Sequence, residues 1–225
     1  MTTSQHTAAA RARSRRGIST LEVLVGGALA LVVVGAMYAF LTAQQRAFAA
    51  NAAYTESQGA TRTVSDLLSR ELRMASYNPA GGAIAASGPC CPGWSQGIVE
   101  ARRDLVHFRQ DLNGDGVISA AGEDLTYTQV GHQIQRTDGA AAAQVLVDNV
   151  PTNGLVLRYY DAATVPNELV PGGTPAALTS CQRDCVTKVR IEIHAEHDST
   201  AAHTVGLESG ATTEVAIRNR SLTNF

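Results

Sequence analysis

Charged residues are few in this sequence, and the positive and negative ones are unevenly distributed along it. Lys188 is the only lysine among 225 residues, and no aspartate or glutamate precedes Glu22. The first 16 residues hold four arginines, which leaves 14 of the 18 basic residues against 20 acidic ones in the remainder, a charge of about −6. Such a balance excludes a general affinity for polyanions in the folded part. We therefore expect no nucleic-acid partner.

Sequence signatures of catalysis are also missing. There is no nucleophile elbow, no phosphate-binding glycine loop and no dinucleotide fingerprint. His194 and His197 stand three residues apart on a predicted strand, where their side chains point to opposite faces and cannot easily share a metal ion. Asp104 and His107 fit surface and turn positions. We expect a protein that is not an enzyme.

One stretch carries no charge at all. Val23 to Ala43 reads VLVGGALALVVVGAMYAFLTA, and these 21 residues span roughly 30 Å as a helix, the thickness of a bilayer core. The arginines before it place the N-terminus in the cytoplasm and the remainder outside. A cleaved signal peptide is the alternative, because Ala47-Phe48-Ala49 offers a small-x-small site. The length of the apolar run favours a retained single-pass anchor in the inner membrane.

The most specific pattern lies between the arginines and the apolar run. Residues 17–22 read GISTLE, which resembles the processing motif of type IV prepilins. The resemblance implies that residues 1–17 are a cytoplasmic leader, which a prepilin peptidase removes by cutting after Gly17. It further implies N-methylation of the new first residue, Ile18, which stands where the family usually has phenylalanine.

Glu22 follows the predicted cleavage site by five residues. A carboxylate at the edge of an apolar helix is costly in lipid, so this residue needs a partner or a function. The resemblance implies that Glu22 pairs with the positive N-terminus of a neighbouring subunit during assembly. The alternative is that Glu22 sits among lipid headgroups at the end of a simple signal anchor.

A helical pattern continues beyond the membrane stretch until Tyr77-Asn78-Pro79, where proline stops it. We predict one helix from residue 18 to about 77, within an N-terminal region of residues 18–78 whose first part, about 18–43, crosses the membrane. Its ending, SRELRMASYNP at residues 69–79, is similar to the end of the same helix in PilW-type minor pilins. The apolar side of its second half is formed by Val64, Leu67, Leu68, Leu72 and Ala75.

The resemblance implies a minor pilin of a type IV pilus. Such a protein waits in the inner membrane, then joins the major pilin and other minor pilins at the pilus assembly platform. The complex primes the pilus, lies near its tip at the cell surface, includes a PilY-type tip adhesin in relatives, and supports motility and adhesion. Two alternatives remain open: a minor pseudopilin of a type II secretion system, and a membrane-anchored calcium-binding module that does not polymerise.

From about residue 98 the apolar period changes to two, which predicts strands. We expect residues 79–225 to form a β-rich periplasmic or extracellular domain, and the whole chain to be an α+β fold in which one antiparallel sheet covers the amphipathic half of the helix, as in pilins. Turns are predicted at Gly131-His132 and Asp138-Gly139. The predicted strands are Ile98–Gln110, Asp124–Val130, His132–Thr137, Gln144–Asp148, Gly154–Tyr160, Thr187–His197 and Thr212–Arg220.

One loop has the residues of a metal site. Asp111, Asn113 and Asp115, with glycine at the sixth position, match the opening of a calcium loop. The closing acid, Glu123, comes one residue later than that motif requires. The alternative is a solvated turn between two strands, since Asn-Gly and Asp-Gly favour turns. A bound calcium ion would stiffen the loop rather than react.

Four cysteines complete the candidate residues: Cys90, Cys91, Cys181 and Cys185. An exported domain meets an oxidising compartment, so we expect disulfides. Three complete pairings are open. Bridges from the 90–91 segment to the 181–185 segment would join two irregular loops, whereas a bond between adjacent cysteines closes a strained ring. A four-thiolate zinc site is the alternative, disfavoured outside the cytoplasm.

Overall fold

The computed structural model describes residues 17, 19–80, 91, 97–196 and 208–217. The chain divides into two compact units, Met1–Phe48 and Ala49–Phe225. The described part of the first unit is the beginning of a long helix, α1. The described part of the second holds the rest of α1, nine strands and a short helix. Of the predicted leader, only Gly17 belongs to the described residues.

Helix α1 spans Thr20–Met74, close to the predicted helix. Its end is set by Ser76, which has a positive φ of 70° and donates its backbone N–H to the carbonyl of Arg109 at 3.0 Å. Gly97 makes room for this turn, because a Cβ there would lie 2.2 Å from the Ser76 nitrogen. The helix therefore ends before the predicted stop at Tyr77-Asn78-Pro79.

The second half of α1 buries one face in the second unit. Val64, Leu68 and Leu72 are buried in its core, as the helical spacing predicts, while Leu67 is only half-buried. Hydroxyl groups share this face: Ser65 Oγ hydrogen-bonds to Thr213 Oγ1 at 2.8 Å. The buried face of α1 therefore combines apolar packing with hydrogen bonds between hydroxyl groups.

The first sheet has five antiparallel strands in the order of the chain. The predicted single strand Ile98–Gln110 is wrong: it is a hairpin of two strands, because three charged residues form a turn in which the Arg102 N–H donates to the Leu105 carbonyl at 2.8 Å. The turn at Gly131 is confirmed, with a positive φ of 59°. The strands are β1 (Ile98–Ala101), β2 (Leu105–Arg109), β3 (Asp124–Val130), β4 (Gln133–Asp138) and β5 (Gln144–Val147).

The second sheet has four antiparallel strands, which are β6 (Leu155–Tyr160), β7 (Glu168–Leu169), β8 (Lys188–Glu196) and β9 (Glu208–Ala216), and they pair in the order β7-β6-β8-β9. The predicted alternation in β8 is confirmed, since Val189, Ile191, Ile193 and Ala195 are all buried. The last strand begins and ends about four residues before the predicted Thr212–Arg220, because all nine of its residues pair with β8. Helix α2 (Ser180–Cys185) lies between β7 and β8 in the chain.

The α+β class is confirmed, but the prediction of one sheet is wrong. The chain leaves the first sheet after β5 through a segment in which Asn149 and Asn153 take positive φ values of 57° and 62°. Strand β6 then pairs with β8 instead of β5. Side chains of α1 bond to both sheets, Glu71 to Tyr127 on β3 and Ser65 to Thr213 on β9, so the helix packs against both.

The outer face of the second sheet is a ladder of paired charges. The Glu214 carboxylate accepts from Arg190 Nη2 at 2.7 Å and from Lys188 Nζ at 3.1 Å. The hydrogen bond from Arg190, and to a smaller extent the one from Lys188, hold the pKa of Glu214 below its usual range. The Lys188 ammonium also lies 4.7 Å from the centre of the Tyr160 ring. Most of this charge is therefore neutralised within the sheet.

Candidate functional site

The start of α1 carries the predicted processing and assembly residues. Gly17 is exposed, and the Ser19 carbonyl accepts the first helical bonds, from the N–H groups of Glu22 at 3.0 Å and Val23 at 3.2 Å. Glu22 lies in the first turn, where the helix dipole favours a carboxylate. Within the described ranges that carboxylate has no ion-pair partner. Ile18 lies outside the described residues.

The first half of α1 exposes its apolar surface. Its most apolar 18-residue window has a mean hydropathy of 2.3, and 0% of it is buried. Leu24, Leu31 and Tyr38 are each more than 70% exposed. An uncovered apolar surface of this length requires lipid or another apolar partner. By length and composition the helix is able to cross a bilayer, either as a membrane anchor or as a signal sequence.

The predicted calcium loop is closed by its own side chains. Asp111 is fully buried, and its two oxygens accept the N–H groups of Gly114 at 2.7 Å and Gly116 at 2.9 Å. Asn113 and Asp115 are exposed, and the Asn113 side-chain oxygen accepts the Asp115 N–H at 3.0 Å. These contacts are those of a turn held by short polar side chains.

Glu123 closes the other end of the loop. Its Oε1 accepts the N–H groups of Leu112 and Asn113 at 3.1 and 3.3 Å, and its Oε2 accepts those of Ser119 and Ala120 at 3.0 and 2.8 Å. Burial raises the pKa of this carboxyl, but the four donors together lower it further, so its pKa lies below the usual range. The folded loop therefore holds Glu123 as a carboxylate.

No group of three histidine, cysteine, aspartate or glutamate side chains in the described ranges is arranged to hold a metal ion. The oxygens of Asp111 and Glu123 already accept backbone N–H groups, which an ion would have to displace. The calcium site formed by Asp111, Asn113, Asp115 and Glu123 stays a prediction. The contacts favour its alternative, the turn closed on itself.

Replacing Glu123 by glutamine should loosen this loop. The amide keeps one acceptor oxygen but turns N–H donors toward two of the four backbone N–H groups. We expect the midpoint of thermal unfolding to fall by about 3–8 °C, measured by circular dichroism on the full chain in detergent. Asp115→Asn, at an exposed position in the same loop, is the matched control and should shift the midpoint by less than about 2 °C.

The same samples test calcium. Adding Ca²⁺ to about 1 mM, the weak end of the range for extracellular sites, should leave the wild-type midpoint within about 2 °C of its value in chelator. A larger rise that is present in the wild type and absent in Glu123→Gln would establish an ion site instead.

The cysteines are oxidised in the described part of the chain. Cys91 and Cys185 form a disulfide across 94 residues, which is one of the predicted bridges between the two loops. Cys181 is also disulfide-bonded, and Cys90 lies outside the described residues. These sulfurs are therefore not thiolates, which argues against the zinc alternative. The bond fixes the segment at Cys91 to helix α2, whose N-terminus is capped by Thr179.

Sequence reasoning missed a half-buried ion pair between α1 and the first sheet. Glu71 accepts two hydrogen bonds from Arg136, at 2.9 Å to Oε1 and 3.2 Å to Oε2, and one from the Tyr127 hydroxyl. The two charged side chains are only 16% and 17% exposed. Burial is the largest cause of the raised pKa of Tyr127, and the hydrogen bond to the Glu71 carboxylate raises that pKa further. The available signal was an acid between Leu68 and Leu72, on the face that the helical period turns inward.

A second contact was missed at His107, which the sequence places at the surface. Its Nε2 lies 2.5 Å from Asp124 Oδ1, and Arg109 donates to both oxygens of the same carboxylate at 3.2 Å. Burial raises the pKa of Asp124, but Arg109 and His107 lower it below the usual range. The arrangement links neighbouring strands. His194 lies on the outer face of β8 beside Gly210, and His197 is outside the described residues.

Comparison of the chain with protein-family models, curated proteins and solved structures found no match.

Proposed function

We propose that this chain is a minor pilin of the PilW type, which assembles into a type IV pilus through its N-terminal helix. One observation carries the proposal: an apolar helix begins within the GISTLE segment, at Thr20, and its most apolar window has no protein surface covering it. A filament of packed apolar helices supplies that cover, as the bilayer does before assembly. The second half of the helix packs against the two sheets.

The proposed mechanism starts in the inner membrane. A prepilin peptidase cuts after Gly17 and methylates Ile18, and the assembly platform moves the helix from lipid into a complex with the major pilin and other minor pilins. Glu22 then pairs with the N-terminus of a neighbouring subunit, because a carboxylate leaving the headgroup region needs a positive partner. At a pilus tip, beside a PilY-type adhesin, no subunit lies above, and Glu22 pairs differently from its counterparts in the shaft.

The N-terminus of the mature chain tests this proposal. Mass spectrometry of protein from the membrane and pilus fractions should find a chain that starts at N-methylated Ile18. Gly17→Val should leave the leader attached, since the peptidase requires a small residue before the cut, and Ser19→Ala is the matched control that should be processed normally. A chain that still starts at Met1 would contradict the proposal, and so would one that starts after Ala49, the product of signal-peptide cleavage.

Co-purification separates the pilus from the secretion alternative. Processed wild-type chain should co-purify with pilus subunits from sheared cell-surface filaments. Recovery only with components of a secretion system would assign the pseudopilin function instead.

A further inference from the structure

A pocket of about 470 Å³ lies between the first and second sheets, within the size range of ligand sites, roughly 300–1,000 Å³. One wall is the β1–β2 turn, with Arg102, Arg103 and Asp104. The lining also includes the start of β6 and the segment after β7, which contributes Pro171 and Pro175. No residue of α1 lines this pocket, so the inference does not rest on the proposed function.

The backbone of the β1–β2 turn is held in place by neighbouring strands. The carbonyl of Arg103 accepts the Leu157 N–H at 2.7 Å, and that of Asp104 accepts the Gln129 N–H at 2.9 Å. The carbonyl of Arg102 accepts the buried Tyr159 hydroxyl at 2.8 Å. Three consecutive carbonyls are thus fixed, and a ligand need not order this wall on binding, which lowers the entropic cost of association.

Three polar side chains of the lining are available to bond to a ligand. Within the described part of the chain, the side chains of Arg103, Asp104 and Asn153 have no hydrogen-bond or ion-pair partner. Arg102 is paired with Glu100, yet its Nε is buried without an acceptor. Apolar atoms of Leu155, Val156, Ala176 and the two prolines supply the rest of the lining. A few polar groups among apolar walls are typical of a binding site.

We propose that this pocket binds an acidic peptide segment of a partner protein, through an aspartate or glutamate side chain. The planar Arg103 guanidinium donates two parallel hydrogen bonds to a carboxylate. The Asn153 amide is able to bond to the peptide backbone, and the prolines and Leu155 pack against aliphatic carbons. Asp104 repels a dianion such as phosphate more strongly than it repels a single carboxylate, and its oxygens are able to accept an N–H of the bound peptide. The absence of an aromatic ring from this lining disfavours a sugar, which would stack on one.

Titration of the full chain in detergent with two capped tripeptides tests the pocket. Acetyl-Gly-Glu-Gly-amide should bind at least about tenfold more tightly than acetyl-Gly-Gln-Gly-amide. Arg103→Glu should weaken the glutamyl peptide at least about tenfold, while Arg62→Glu, on the exposed side of α1, is the matched control and should leave its affinity unchanged. Glu100→Gln should strengthen binding, because it frees Arg102.

Several results would overturn this assignment. The first two are equal affinity for the two peptides and no saturation below about 10 mM. The third is an equal loss of affinity for the glutamyl peptide in Arg103→Glu and Arg62→Glu. The fourth is displacement of the glutamyl peptide by inorganic phosphate that is more effective than displacement by free acetate. Circular dichroism of each variant separates lost binding from lost folding. Because N-terminal processing is measured independently, failure here leaves the proposed assembly function intact.

Discussion

Replacing Cys91 and Cys185 together by serine should lower the free energy of unfolding by about 2 kcal/mol, the low end for a disulfide, because Cys181 keeps a disulfide of its own. The disulfide joins residues 94 positions apart, and a cross-link over a long loop removes many conformations from the unfolded chain. The measurement is urea denaturation of the full chain in detergent, followed by tryptophan fluorescence and circular dichroism without reductant.

Two controls isolate the effect of this bond. Ser180→Ala changes an exposed residue at the start of α2 and should cost less than about 0.5 kcal/mol. Reduction of the wild type by dithiothreitol should cost at least as much as the double substitution, since it opens every bridge. If the double variant unfolds within about 1 kcal/mol of the wild type, the bridge does not stabilise the fold.

Glu71→Ala should cost about 3 kcal/mol of unfolding free energy, the low end for breaking a buried pair, because the pair retains some exposure. The substitution leaves the Arg136 guanidinium without its carboxylate and the Tyr127 hydroxyl without its acceptor. Glu56→Ala changes an exposed acid on the same helix and should cost less than about 0.5 kcal/mol. Urea denaturation measures both.

A double variant shows whether the loss comes from the unpaired charge. Glu71→Leu with Arg136→Met removes both partners and should be more stable than either single variant. If Glu71→Ala costs no more than Glu56→Ala, the ion pair contributes nothing measurable to the attachment of α1 to the first sheet.

The elements that sequence reasoning placed correctly are those with a local signal. The second half of helix α1 and strand β8 bury the residues that their periods predict, apart from Leu67. A 3.6-residue or two-residue repeat is visible without knowledge of the partner. The division into two sheets has no such signal. It depends on the pairing of Leu155 with Ile193 in place of a partner on β5, a choice made by contacts between residues far apart in the chain.

The candidate sites divide in the same way. GISTLE is a contiguous segment, so its spacing is visible in the sequence alone. The pair of Glu71 and Arg136 joins residues 65 positions apart. The helical period places Glu71 on the inward face, but nothing local identifies Arg136 as its partner. In the loop, the oxygen donors that suit a calcium ion also suit backbone N–H groups. Only the contacts of Asp111 and Glu123 in the folded chain favour the second use over the first.

Lys188 gives the chain a further experimental property. It is the only lysine, and its amine, though bonded to Glu214 and lying over the Tyr160 ring, is part of a side chain that solvent reaches on the outer face of the second sheet. An amine-reactive dye therefore marks at most one side chain per molecule. In a purified sample, the dye bound to side chains counts the molecules of this chain one for one.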